Sequence, residues 1–344
     1  MFSLASLFSR HRNPDDGRFG YAILGTGHGA EKLCEALAGS KIARVAAIVS
    51  SSVERAAKFG KRWDVTHAYS YDQVSTLAKD TSIDAVYIAL PVSLHRRFTE
   101  EAAAACKHVL CEKPMAGNVV DAQAMITACK AANRLLMIGY RLDYDPMHRE
   151  AHRLIHGGSL GVIQHVRANF GVVAKPGWRF DPALAGGGSL FDVGVYPIHG
   201  LHTLFGESKL IAAHIQQNAA GMEVDARWQG KIESNASFTC HSSYMERDAD
   251  VLAVRGSLGT LTLRHAFDYK RTELEAQLRR SPGQLETISM QDDKKNPSLF
   301  QLEAEHLAEC VREGTTLRSP GEDGLIDLRF VAQIEAHATR TTRP

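Results

Sequence analysis

Short, almost continuously apolar runs alternate with amphipathic stretches through the first 140 residues. "GYAIL", "ARVAAIVS", "THAYS", "IDAVYIAL", "HVLC" and "RLLMIGY" read as strands. Between them "AEKLCEALAG", "SVERAAKFGKRW", "YDQVSTLAKD", "HRRFTEEAAAACK" and "VVDAQAMITACKAAN" carry helical spacing. Strands this apolar, separated by helices, predict βαβ units and a parallel sheet covered on both faces. After Tyr140 the pattern changes. "DPMHREAHRLIHGG" predicts a helix stopped by Gly-Gly. Longer strand patterns follow without helices between them: "VIQHVRANFGVV", "GKIESNASFTCHSSYM" and "DADVLAVRGSLGTLTLRHAF". The last holds "GSLG" between two strand runs, a hairpin signal. "PGEDGLIDLRFVAQIEAHATR" closes the chain as a helix. The expected class is therefore α/β. An N-terminal domain with a helix-covered parallel sheet (19–140) precedes a C-terminal α+β domain (141–344) with a mostly antiparallel sheet.

Composition adds bounds. The 344 residues are 44% hydrophobic and 23% charged, with a net charge of +1, which is ordinary for a globular chain and gives no reason to expect nucleic acid. Six cysteines, Cys34, Cys106, Cys111, Cys129, Cys240 and Cys310, form no CxxC pair, so free thiols in a reducing, cytoplasmic setting are expected. No apolar run reaches the roughly 18 residues that span a bilayer. In "MFSLASLFSRHR" the basic residues follow the apolar patch, the reverse of a secretory signal. Residues 1–18 are expected to be a leader arm ending in a polar linker.

The sharpest local signal is "ILGTGHGAEKL". Gly25, Thr26, Gly27, His28, Gly29 and Ala30 give G-x-G-x-x-A spacing after a strand and at the start of a helix. The first glycine permits the tight turn and the second lets a pyrophosphate approach the backbone. Ala30 allows close helix packing, and the helix N-terminus faces the phosphates. A dinucleotide site that prefers NAD places an acid about 20 residues further on. Here Ser50, Ser51 and Ser52 end the second strand, with Arg55 one turn away. Hydroxyls and a cation suit a 2′-phosphate, so NADP is the expected cofactor; the serines can also cap the helix. Leu90 and Pro91 end the fourth strand at the crevice. His95 opens the next helix and either contacts the nicotinamide side or faces solvent.

Together with "IDAVYIALPVSLH", "CEKPMA", "MIGYRLDYDPMHREA" and "LAGGGSLFDVGVYPI", this motif resembles the glucose–fructose oxidoreductase / inositol dehydrogenase / rhizopine-catabolism (Gfo/Idh/MocA) family. The likeness runs over residues 20–340 and is strongest to the glucose–fructose oxidoreductase branch. It implies a Rossmann domain plus an open sheet that builds homodimers or homotetramers, and small-molecule sugars as substrates. The branch's periplasmic members carry an export signal and a clasping arm, while this leader is short and lacks twin arginines. The resemblance makes Lys113 and Tyr196 the candidate proton-transfer pair. A tyrosine's reference pKa of about 10 is too high for a base near neutrality, and an ammonium within about 4–6 Å lowers it. The tyrosine is expected to move the proton with Lys113 as its electrostatic partner, although either could carry it. Pro114 is expected to be cis, and Glu112 to reach the nicotinamide ribose.

"GSLFDVGVYPIHG" predicts a helix that puts Asp192, Tyr196 and His199 on one face. Asp192 would bond a sugar hydroxyl or hold Lys113; the alternative is a carboxylate placed to suit the helix dipole. His199 stands where the family usually has Asp or Asn, and is expected at the sugar. Trp178 and Arg179 in "KPGWRF" resemble a family pair that packs on the cofactor. Arg141 and Tyr144, at the domain crossover, are candidate sugar contacts, Arg141 also reaching the cofactor. His199 and His202 have helical spacing but no third ligand, so no metal is expected. The activity implied is oxidation of an aldose at C1 to the aldonolactone, with tightly bound NADP reoxidised by a second aldose or a ketose. The alternatives are a dihydrodiol or xylose dehydrogenase that releases its cofactor, and a non-catalytic NADP-binding sensor. A sensor could lose Lys113, Asp192 or Tyr196, and all three are present.

Overall fold

A computed structural model describes residues 16–342, apart from 176, 247–248, 268, 270–271, 282 and 293–296. For Trp178, Pro182 and Ala183 it describes the backbone only, so the side-chain expectation for Trp178 lies outside the described residues, as does the leader arm over 1–15.

The first unit runs β1 Phe19–Leu24, α1 His28–Leu37, β2 Ala43–Ser50, α2 Val53–Gly60, β3 His67–Ser70, β4 Ala85–Ile88, α3 His95–Ala104, β5 His108–Cys111, α4 Val119–Ala131 and β6 Leu136–Ile138. Its six parallel strands lie in the order β3-β2-β1-β4-β5-β6. Every residue of β1 and β4 is buried, as expected of a sheet sandwiched between helix layers. The order reverses between β1 and β4, and the crevice outside their carboxyl ends is where such sheets bind ligands. "YDQVSTLAK" forms a 3-10 helix rather than an α-helix. Residues 16–18 are pinned from two sides: Arg18 donates to the Ser40 carbonyl of this unit at 3.0 Å, and Arg312, from a helix late in the chain, donates to the Gly17 carbonyl at 2.9 Å.

The second unit runs α5 Pro146–His156, β7 Ile163–Gly171, α6 Pro182–Ala185, α7 Ser189–Asp192, α8 Val195–Phe205, β8 Ser208–Gln217, β9 Glu223–Ile232, β10 Ser237–Ser243, β11 Asp250–Gly256, β12 Gly259–Arg264, β13 Glu273–Ser281, β14 Gln284–Gln291, α9 Leu299–Glu313, α10 Gly321–His337 and β15 Thr339–Thr342. Nine strands form one sheet in the order β14-β13-β12-β11-β7-β10-β9-β8-β15. All pairs are antiparallel except β7 with β10 and β8 with β15. The stretch expected as one strand over 230–245 is two, reversing at Asn235, whose φ of +65° asparagine tolerates well. The "GSLG" hairpin joins β11 to β12 as expected. Helices α7, α8 and α10 pack on one face of the sheet. The opposite face presents Arg167, Asn169, Arg227 and Gln229 along a shallow groove. Helix α9 had no sequence expectation; it crosses back onto α1 and β2 of the first unit, and α10 reaches α4 and β6. Among the described residues no helix is long and apolar enough to cross a membrane.

Candidate active site

The crevice begins at the β1–α1 turn. Gly25 has φ +109°, and a Cβ there would lie 2.4 Å from the Ala89 carbonyl oxygen, so only glycine fits. A Cβ on Gly27 would meet nothing within 4 Å, leaving the backbone open to a ligand. Gly27 is the N-cap of α1 and supplies no side-chain cap, so the first N–H groups remain available to a phosphate. Thr26 and the exposed His28 flank the turn, Gly29 lies against Tyr87, and Ala30 is fully buried beneath it. At the end of β2, Arg55 donates to Thr26 Oγ1 at 3.2 Å, and Ser52 accepts from the Arg55 N–H at 3.2 Å as the cap of α2. Ser51 and Arg55 are exposed at this edge. Ser50 is not: it is 1% exposed and bonded to the Tyr71 hydroxyl, which removes it from the expected phosphate contacts. These residues fit a dinucleotide whose adenosine ribose carries a 2′-phosphate.

Leu90 and Pro91 are half-buried at the crevice. His95 corrects both of its expected roles. It is 1% exposed, with Nε2 2.9 Å from the Leu90 carbonyl and Nδ1 3.1 Å from the Pro114 carbonyl. It therefore stitches the loops after β4 and β5 together, and burial pushes its pKa down.

The loop after β5 holds the cis Lys113–Pro114 bond. Glu112 accepts the Tyr87 hydroxyl at 2.6 Å and the Lys113 N–H at 3.2 Å. Lys113 Nζ donates to the Asp192 carbonyl at 2.8 Å, lies 3.3 Å from its Oδ1, and sits 4.5 Å from the Tyr196 ring centroid. The Asp192 carbonyl is free for this because the helix breaks there. The Tyr196 N–H turns to Val193 instead, and a Cβ on Gly194 would lie 2.6 Å from the Leu190 carbonyl oxygen. The continuous helix expected over this stretch is thus α7 and α8, and the break is what points Asp192 at the lysine. Its other oxygen accepts Arg179 Nε at 2.6 Å and the Tyr244 hydroxyl at 3.2 Å. Glu223 caps α7 from β9, accepting the Leu190 N–H at 2.7 Å, and burial pushes its carboxyl up to about 7. Burial opposes the Lys113 charge, but Tyr196 and Asp192 outweigh it and hold the ammonium above its usual range. Burial likewise opposes ionisation of Asp192, and Lys113 with Arg179 outweighs it.

Tyr196, 6% exposed in the first turn of α8, has a second cation beside it. Arg141 Cζ lies 5.6 Å from its ring centroid and hydrogen-bonds its hydroxyl. Arg141 is itself anchored by the Phe267 carbonyl at 2.6 Å. The geometry brings Lys113, Asp192, Tyr196, Arg141 and Arg179 to one mouth. Tyr144 is elsewhere: its hydroxyl meets Met137 Sδ at 3.5 Å and its ring packs on His306, facing α9. His199 is also turned away, with its ring nitrogens 2.9 Å from Asp327 and 3.0 Å from Asp143. Neither reaches a sugar here. Tyr269, which no motif marked, lies 5.7 Å from His28, has Arg141 Cζ 4.6 Å from its ring centroid, and stacks on Phe300. Among the described residues no group of three His, Cys, Asp or Glu could hold a metal.

A Rossmann crevice faced by a lysine, an aspartate and a tyrosine from two units defines the class: a dinucleotide-dependent oxidoreductase. The sequence model described as the oxidoreductase family with NAD-binding Rossmann fold matches residues 19–140, and the GFO/IDH/MocA C-terminal domain matches 148–262. The chain belongs to the GFO/IDH/MocA oxidoreductase family. It is 35% identical to the aldose-aldose oxidoreductase of Caulobacter crescentus, solved with glycerol; the match covers 93% of this chain and 97% of that one, with a TM-score of 0.87. It is 28% identical to the D-xylose 1-dehydrogenase [NADP(+)] of Haloarcula marismortui over 94% of this chain and 92% of that protein. It is 29% identical to the scyllo-inositol 2-dehydrogenase (NADP(+)) of Bacillus subtilis over 85% and 88%.

Proposed function

We propose that the protein is an NADP-dependent sugar oxidoreductase that oxidises an aldose at C1 to the aldonolactone. A second aldose or a ketose then reoxidises the cofactor without its release. The observation that carries this reading is Tyr196 held between two cations, Lys113 and Arg141, at the carboxyl edge of the Rossmann sheet. NADP, when bound, supplies the hydride acceptor at its nicotinamide ring. The α1 N-terminus, Ser51, Ser52 and Arg55 hold its phosphates, and Glu112 its nicotinamide ribose. The Tyr196 oxygen, entering the step as the phenolate, takes the proton of the sugar O1 as the C1 hydrogen leaves with its electron pair, and so becomes the hydroxyl. Lys113 and Arg141 stabilise the negative charge that develops on the two oxygens, fixed before reaction by Asp192 and the Phe267 carbonyl. In the return half-reaction the same tyrosine gives the proton back to the oxygen of the second sugar.

Retention of the cofactor is supported by the aldose-aldose relative, whose name pairs two sugars. The D-xylose dehydrogenase relative supports the second reading, in which NADPH leaves after each turnover. The purified protein, with no cofactor added, should develop the absorbance band of reduced nicotinamide on addition of an aldose and lose it on addition of a second sugar. A band that needs added NADP would favour the dissociable cofactor; no band with either, over a broad aldose panel, would sink both. The same reading places a homodimer or homotetramer contact on the uncovered face of the nine-stranded sheet.

The 2′-phosphate assignment has its own test. Arg55→Ala should weaken NADP binding roughly 10-fold, as loss of one charge-assisted contact implies, and leave NAD binding unchanged. Equilibrium fluorescence titration with both reduced cofactors measures this, and equal losses for the two would remove Arg55 from phosphate recognition.

A further inference from the structure

His199 lies one helical turn beyond Tyr196 on α8 and is 5% exposed. Its Nδ1 is 2.9 Å from Asp327 Oδ2, and its Nε2 is 3.0 and 3.1 Å from the two oxygens of Asp143. Ionised carboxylates only accept, so both nitrogens must donate, and the ring that satisfies both is the imidazolium. Burial disfavours that charge, but the two carboxylates outweigh it and raise the imidazole well above its usual range. Asp327, 1% exposed on α10, also accepts His202 Nδ1 at 2.7 Å and the Tyr140 hydroxyl. The Tyr140 ring stacks on the His199 ring at 3.6 Å and 11°. Asp323, the remaining acid of α10 facing the cluster, is pushed up to about 6, chiefly by burial.

Tyr140 and Asp143 stand on either side of Arg141 in the chain. His199 grips both, one by stacking and one by an ion pair, from the helix that carries Tyr196. We propose that His199 is a positioning residue: as a buried cation it locks the Tyr140–Tyr144 turn to α8 and so holds the Arg141 guanidinium against the Tyr196 hydroxyl. Asp327 is the fixed point that keeps the imidazole from rotating. The role assigned to His199 rests on Tyr196 being the proton carrier, but the placement of Arg141 does not.

The test uses His199→Asn, with Asp143→Asn as the second variant should the first fail to fold. In single turnover with saturating NADP, the reduction rate should fall roughly 10- to 100-fold, the cost of a misplacement near 1 Å. The half-saturating sugar concentration should change less than about threefold, and the NADP dissociation constant should not move. Crystal structures of the variants should show the Arg141 guanidinium withdrawn from Tyr196 whether or not a sugar substrate has been found. An unchanged Arg141–Tyr196 contact would overturn the proposal. So would an unchanged reduction rate in a folded variant, or a raised sugar requirement at an unchanged rate, which would return His199 to the sugar. An inert wild type on every sugar, with Arg141 displaced in the variants, would sink the functional reading and leave the positioning role standing.

Discussion

Tyr196→Phe is expected to lower kcat by roughly 100- to 10,000-fold, the range for removing a positioned acid–base group. The KM for sugar should change little, because the ring keeps its packing on Phe170 and its place between Lys113 and Arg141. On the proposed mechanism, what is lost is the oxygen that takes the O1 proton, a contribution made mainly in the transition state. Stability should fall by only about 1 kcal/mol, the worth of the hydrogen bond that Arg141 loses, since Arg141 keeps its bond to the Phe267 carbonyl. Steady-state kinetics with a thermal melt on the same preparation decides it; an unchanged kcat would take Tyr196 out of the mechanism.

Lys113→Met carries the second large effect, and it has two parts. The ammonium is the donor to the Asp192 carbonyl and one of two cations beside the Asp192 carboxylate. Methionine fills the volume but leaves that buried carboxylate with the neutral Tyr244 hydroxyl and a single nearby cation, Arg179, whose side chain is 40% exposed and therefore a screened partner. A stability loss on the order of 1–3 kcal/mol follows from an incompletely compensated buried acid. The catalytic part is larger: loss of a preorganised positive charge facing the developing oxyanion costs about 100- to 1,000-fold in kcat. Lys113→Met with Asp192→Asn in the same chain should recover most of the stability and little of the rate. Recovery of both would mean that Lys113 acts on the fold and not on the reaction.

The nucleotide half was legible because its signals are local. A buried parallel strand is apolar on both faces, and "GTGHGA" states its own backbone needs. Gly25 sits where no Cβ fits; the bond from Arg55 to Thr26, which joins the two phosphate-side turns, is visible only in the structure. The long second-domain stretch was less legible. A turn at Asn235 leaves no gap in the strand pattern on either side, so β9 and β10 read as one. Helix α9 was hidden because its apolar face packs on α1 and β2, nearly three hundred residues earlier in the chain.

At the site, residues fixed by a motif landed together: Lys113, Asp192 and Tyr196. Those whose role depends on which way a helix or turn faces did not. Tyr144 and Arg141 share one 3-10 turn, yet the first points to α9 and the second to Tyr196. Spacing placed His199 beside Tyr196, but its two acids come from Asp143 and Asp327, far apart in sequence. Tyr269 carried no signal beyond being aromatic in a loop between strands.

On the proposed mechanism a sugar's C1 hydrogen is transferred as hydride to NADP held over Lys113 and Tyr196. The wild-type protein is given an aldose deuterated at C1, and its cofactor, freed by denaturing the protein, is analysed by mass spectrometry. The reduced cofactor should carry one deuterium, form more slowly than from the unlabelled sugar, and form hardly at all in Tyr196→Phe. Reduced cofactor without deuterium, or equal rates of deuterium transfer in the wild type and Tyr196→Phe, would contradict that mechanism.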